Sequence, residues 1–343
     1  MFRSLVTKGL LSSIVLRPTS SFTTMSSSTS SSAVFDTIQD IIGTDAGDRG
    51  MKPLICPGDL QKAAESVVEL PSPSTVVVLS GFPCCVNESP PTETDGPPGT
   101  YAIARAASAL GHNVVVATDD CNKEVFAAAL TDLALPSECP PISLQTFPAT
   151  FDSDDEARFQ KLATDCKLLI ACERAGPGKS GSCYTMRGID MNERGLIAPL
   201  NRLVKESNSK FLAVGDGGNE LGMGKVIDKI IESPKIMNGD KIGCVVAADH
   251  LIAASVSNWG GYALSGAVAV AKAQKDSLPS SEDWVSKCLP TVEEETALLD
   301  RCVAAGCRDG VSGKMEATVD GMPLSTSMKC LEDIRAASLS YTR

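Results

Sequence analysis

Histidine is nearly missing from this chain, with only His112 and His250 among 343 residues. Cysteine is frequent at thirteen residues, yet no C-x-x-C pair occurs. Together these two facts argue against a zinc finger or a thioredoxin-type redox centre. The phosphate-loop pattern G-x-x-x-x-G-K-[ST] is absent. No run of 18 apolar residues exists, so no membrane-spanning helix is expected. Aromatics make up only 4 % of the chain, which leaves the core to aliphatic residues. Basic residues are the minority, 31 against 42 acids, for a net charge of −11. That balance argues against nucleic acid or an anionic membrane as the main partner. It leaves open a small anionic ligand, which local groups hold. Cys56, Cys172, Cys244 and Cys302 sit within apolar runs, where cysteine behaves as a small buried hydrophobe. An odd cysteine count in a reducing compartment fits free thiols, and the adjacent Cys84 and Cys85 are read the same way.

Acid is missing altogether from residues 1–33. Arg3, Lys8 and Arg17 are there, followed by a long Ser/Thr tract, and the first acid is Asp36. A basic, Ser-rich, acid-poor start predicts a disordered transit peptide and a mitochondrial matrix location. Taking three cations and no acids from the totals leaves 28 cations against 42 acids, a net charge of −14. The roughly 310 residues that remain suffice for one large α/β domain or two smaller ones.

Residues 34–74 read as a mainly helical lead-in. From residue 75 a rhythm begins. Apolar, β-branched runs fall at 75–80, 113–118, 142–147, 167–171, 210–214 and 241–247. Helix-like stretches lie between them at 99–110, 122–133, 154–165, 196–206 and 225–232. This alternation predicts an open, mostly parallel α/β sheet with helices on both faces, a Rossmann-like three-layer arrangement. A loop at 255–261, a small-residue helix from 262 to about 272, and helices near 292–305 and 323–337 are expected beyond it. In such a sheet ligands bind outside the carboxyl ends of the strands. The loops at 81–83, 118–120, 172–174, 215–224 and 248–250 should therefore converge on one crevice.

The segment 215–224 is the most informative, because ten residues there hold five glycines, Asp216, Asn219 and Glu220. Glycine permits tight turns, and a following helix start offers free N–H groups. Such a turn can hold an anionic group while the polar side chains act on it. Asp95 and Gly96 open a Pro-stiffened loop that leads into a helix, where Asp95 could orient an amine or hold a metal. Glu173 and Arg174 at a strand end form either an ion pair or an acid/base group beside an anion clamp. Arg187 and Tyr184 follow in the same loop, and Asn258 could donate to an oxyanion. No cofactor is predicted. Asp95, Asp216 and Glu220 could hold Mg²⁺ through oxygens, though the spacing does not require it.

Five ordered segments carry a resemblance. TDGPPGTYAIARAASALG, ACERAGPG with YTMRGIDM, GDGGNELGMGKV, SNWGGYAL and DGMPL are similar to the C-terminal domain of the D-glutamate cyclase-like family, over residues from about 75 to 340. The resemblance implies a lyase that dehydrates D-glutamate to 5-oxo-D-proline. It implies acid/base roles for Glu173, Asp216 and Glu220, and anion-clamp roles for Arg174 and Arg187. Asn219, Asn258 and the N–H groups of Gly217 and Gly218 would then face the tetrahedral oxyanion. Animal cyclases carry a further large domain before this one, so a separate N-terminal-domain partner or a homo-oligomer is a possible assembly. A hydrolase acting on an acidic amino acid or lactam is an alternative. So is a non-catalytic metabolite-binding subunit.

Overall fold

Strands made of Val, Ile, Leu and Ala can be buried on both faces, and strands of this kind, with one more polar, half-exposed edge strand, form the six-stranded centre of this protein. The computed structural model describes residues 31–343. The transit-peptide expectation falls mostly outside them, and residues 31–33 begin the first helix. The strands are β1 (Thr75–Gly81), β2 (Asn113–Asp119), β3 (Ile142–Phe147), β4 (Cys166–Arg174), β5 (Lys210–Gly215) and β6 (His250–Ala253). They lie in the order β3-β2-β1-β4-β5-β6, and every neighbouring pair is parallel. The helices before β4 are α1 (Ser31–Ile42), α2 (Asp59–Glu69), α3 (Pro97–Ala109), α4 (Lys123–Leu130) and α5 (Ser153–Asp165). Short α6 (Leu203–Glu206), α7 (Ile227–Glu232) and α8 (Gly239–Ile242) follow, then α9 (Ser257–Lys275), α10 (Glu282–Cys288), α11 (Val292–Ala304) and α12 (Leu324–Leu339). A two-residue hairpin, β7 (Thr318–Val319) with β8 (Met322–Pro323), precedes α12.

Side chains alternate across a strand, and the two cores divide on that period. Val76, Val78, Leu168, Ile170, Leu212 and Val214 face one side, packed with α2, α3 and α9 residues such as Val67, Ile103 and Val268. Val77, Leu79, Leu169, Ala171, Phe211 and Ala213 face the other, with Phe159 of α5, Leu203 of α6 and Ile230 of α7. Strand order runs outward from β1 in one direction and from β4 in the other. The switch point lies between β1 and β4, so the binding crevice of an open sheet belongs at their carboxyl ends.

Four expectations need correction. The sixth strand is His250–Ala253, not residues 241–247. Residues 244–248 instead brace the glycine loop outside the sheet, with Cys244 N bonded to Gly218 O at 3.0 Å and Gly224 N to Val246 O at 3.0 Å. A Cβ on Gly224 would lie 2.5 Å from the Val246 carbonyl carbon, so the apolar run serves a backbone-to-backbone contact. As a consequence the 248–250 loop enters β6 at the opposite edge from the crevice. There Asp249 Oδ2 accepts from Phe211 N at 2.8 Å. The helix expected over 196–206 starts only at Leu200, because the backbone of Ala198 is bonded to buried side chains described below. Residues 257–261 are the first turns of α9 and not a loop.

Candidate active site

Asp95 and Asn258 cap each other's helices. Asp95, just before α3, accepts from Ser257 N at 2.8 Å and Asn258 N at 2.7 Å at the start of α9. Asn258 Oδ1 accepts in return from Gly96 N and Gly99 N, both at 2.9 Å, at the start of α3. Glycines allow the two helices this approach. A Cβ on Gly261 would stand 2.5 Å from Gly99 Cα. Gly96 adopts φ +111°, and a Cβ there would meet Glu173 Cβ at 3.0 Å.

Glu173 is aimed by a bulge. Ser80 pairs with Cys172 and Gly81 with Arg174, so Glu173 is the extra residue between them. Its φ of +44° is left-handed, a conformation costing about 1–3 kcal/mol for a non-glycine residue. Bulges of this kind re-aim side chains next to active sites. The glycine loop then pairs with the chain leaving β4: Gly176 N donates to Asn219 O at 2.9 Å and Leu221 N to Arg174 O at 2.7 Å. That pairing sets Asp216, Asn219 and Glu220 beside Glu173.

These groups line a cavity of about 480 Å³. Asp95, Glu173 and Asp216 are all buried, and one oxygen from each lies within 4.8 Å of the others. Arg49 faces them, with Nη2 3.2 Å from Asp216 Oδ1 and Nη1 2.6 Å from Asp320 Oδ2. Around the whole cavity seven acids (Glu88, Glu93, Asp95, Glu173, Asp216, Glu220, Asp320) meet two arginines, Arg49 and Arg187. Crowding of buried like charges disfavours ionisation. Burial, then the charges of Glu220 and Asp216, push the Glu173 carboxyl well above the usual range. Burial does the same to Asp216, and Arg49 only partly opposes it. The Arg49 guanidinium is held more firmly charged by Asp216, against burial. Asp95 is pushed up to about 8 by burial and Asp320, against the N–H groups of Asn258 and Ser257. Burial and Asp320 likewise raise Glu93.

Of the residues named from sequence, Asp95, Glu173, Asp216, Asn219, Glu220 and Arg187 line this cavity. Arg187 stands exposed at its mouth. The others are placed differently. Arg174 is 1 % exposed and ion-paired with Asp119, and its Nη2 donates to Ala198 O at 2.9 Å. Its fork is therefore occupied inside the fold. The N–H groups of Gly217 and Gly218 donate to the carboxylate of Glu220 itself, each at 2.8 Å. The anion cradled by the glycine turn is thus the protein's own. Asn258 and Gly96 brace the helix pair, and Asn219 Nδ2 donates to Tyr184 O at 2.7 Å.

Sequence reasoning missed Arg49, Glu93 and Asp320. Arg49 belongs to the 43–51 segment, folded around Asp45, whose Oδ1 accepts from Arg49 N at 2.9 Å. Ser255 holds that segment in turn, accepting from Asp45 N at 2.8 Å. Asp320 occupies the turn between β7 and β8 at φ +54°. Its Asp-Gly pair was a turn signal, but nothing local tied that turn to the crevice.

A family model described as D-glutamate cyclase-like, C-terminal, matches residues 38–335. The human protein named D-glutamate cyclase, mitochondrial, is 34 % identical over 324 residues, covering 86 % of this chain and 50 % of that protein. The chain thus spans about half the length of the curated relative it matches. With this match running through the lead-in, all six strands and the C-terminal helices, the chain belongs to the D-glutamate cyclase-like family through its C-terminal domain.

Proposed function

We propose that the protein is a mitochondrial lyase that dehydrates D-glutamate to 5-oxo-D-proline. The observation that supports this most is the buried Asp95–Glu173–Asp216 cluster set against Arg49. Cyclisation joins the α-amine to the γ-carboxyl carbon and expels one γ-oxygen as water. Two protons must pass from the ammonium nitrogen to that oxygen as the C–N bond forms and the C–O bond breaks. A carboxylate resists attack, so the γ-group needs a proton donor and a cation beside it. Glu173 is the proton donor, since burial keeps its carboxyl protonated well above the usual range. The substrate ammonium beside Asp216 favours its ionised form, so Asp216 takes the first ammonium proton and returns it to the leaving oxygen, and the nitrogen's second proton restores the one that Glu173 gave up. Arg49 faces the developing oxyanion, and Arg187 at the mouth receives the α-carboxylate. Glu220 does no proton transfer here; it fixes the loop that carries Asp216. Holding both reacting ends of one small molecule removes much of the entropic barrier.

Incubating the purified chain with D-glutamate and following 5-oxoproline by chiral chromatography tests this reading. Turnover with D-glutamate supports it. Absence of both turnover and a melting shift with D-glutamate, L-glutamate or 5-oxoproline would end it. A second reading is a metabolite-binding subunit whose acid-rich pocket holds an acidic amino acid without turning it over. A melting shift without turnover would select that second reading.

A further inference from the structure

We infer that the Asp95–Glu173–Asp216 cluster is a binding site for a hard divalent cation. The inference does not rest on D-glutamate being the substrate, and an ion here displaces the Glu173 proton, so the cation-bound cluster and the proton-donor form of Glu173 are alternative states of one site. Glu173 and Asp216 are only 5 % and 4 % exposed, yet Glu173 Oε2 and Asp216 Oδ2 have no hydrogen-bond partner among the described residues. A buried carboxylate oxygen without a donor is costly unless a cation meets it. Both residues line the cavity, and the second oxygen of Asp216 is the one engaged by Arg49. Arg49 cannot neutralise the remainder, because it also pairs with Asp320.

The geometry suits an ion. Two oxygens on one ion lie no farther apart than twice the metal–oxygen bond, about 4.2 Å for Mg²⁺ and about 5 Å for Ca²⁺. One oxygen from each of the three carboxylates lies within 4.8 Å of the others, inside the reach of a single Ca²⁺-sized ion. The donors are all oxygen, which selects Mg²⁺, Mn²⁺ or Ca²⁺ over zinc or copper. The fold holds two of the donors in advance. Asp95 is fixed by the helix starts, and Glu173 by its bulge. Glu220 lies outside this three-carboxylate cluster, its oxygens accepting from the glycine turn.

Mn²⁺ alone is the probe. The full chain is stripped with a chelator and titrated calorimetrically, with bound Mn²⁺ counted in parallel by electron paramagnetic resonance. We expect a single ion per chain and a rise in Tm. Glu173→Gln and Asp216→Asn should each weaken binding at least about tenfold, since even outer-shell changes cost 10–100-fold. Glu293→Gln, on the separate cleft between α3 and α11, should leave it unchanged. Circular dichroism confirms that each variant is folded. The wild-type titration stands as a test on its own if a variant is not. No Mn²⁺ uptake by the wild type at millimolar concentration would overturn the inference, as would uptake that ignores both substitutions. A Tm rise with methylammonium but none with Mn²⁺ would overturn it too, by showing that the cluster takes an amine.

Discussion

Raising the pH from about 6.5 to about 7.8 should weaken the fold of this protein when a chelator keeps cations away. Glu173 and Asp216 have folded-state pKa values raised above their unfolded values, and Asp95 is raised to about 8. The unfolded chain loses these protons near pH 4, while burial in the folded chain holds them to higher pH, to about 8 for Asp95. The folded state therefore binds more protons in this window, and stability falls as pH rises. Each retained proton is worth about 1.4 kcal/mol per pH unit, so about 2 kcal/mol over the interval. Other groups act in this window too: Glu295, raised to about 7 by burial, and Glu93, raised by burial, add to the fall, while Cys85, lowered by its hydrogen bond to Cys84, opposes it. Burial lowers the pKa of His112 and His250, which makes their contribution rise with pH only below about 6.5. Buried thiols such as Cys121, pushed up to about 12, act only above about pH 8, where unfolded cysteines ionise. At about 2 °C per kcal/mol for a chain of this size, Tm should drop about 4 °C for one retained proton and more for two. Differential scanning fluorimetry of wild type and Glu173→Gln measures it, with a shallower slope expected for the variant. A wild-type Tm that stays level or rises across this window, or an identical slope in the variant, would refute the reasoning.

Other consequences follow from the same contacts. Arg174→Met leaves Asp119 buried and unpaired, so denaturant unfolding should show a loss of about 3–5 kcal/mol. Asp216→Asn keeps the shape of the turn but removes its titrating proton. Turnover of D-glutamate should fall at least about a hundredfold with Tm little changed, and near-wild-type turnover would show Asp216 to be a turn former only. Gly261→Ala forces a Cβ to within 2.5 Å of Gly99 Cα. The α3–α9 crossing must open, and a thermal melt should register about 1–3 kcal/mol of destabilisation.

The sheet was legible because its signal is local. Period-2 burial in the segments around Val76, Leu168 and Leu212 requires nothing beyond the strand and its two faces. The sixth strand was misplaced because residues 241–247 are apolar for a different reason. They lie against glycines 218, 222 and 224, a contact between backbones that hydropathy does not encode. His250–Ala253, by contrast, is four residues long and offers little pattern to detect.

The site divides along the same line. Asp95, Glu173 and Asp216 were found because each follows a strand or opens a helix at the carboxyl edge, and topology brings all such positions together. What topology does not tell is which polar groups are already satisfied. Arg174 and Glu173 are neighbours in sequence with the same strand-end setting, yet one bulge residue sends Glu173 into the cavity and Arg174 to Asp119. The glycine N–H groups were visible as an anion cradle, but their anion is Glu220, three residues along the same turn. Arg49 and Asp320 come from opposite ends of the chain and meet only through tertiary packing, at 2.6 Å. Their pairing accounts for the unusual balance of the centre. One guanidinium is shared between two acids, so the three-carboxylate cluster beside it carries more negative charge than the protein neutralises. Protons, a cation or a substrate ammonium must complete it, and each leaves a different dependence on pH and Mn²⁺.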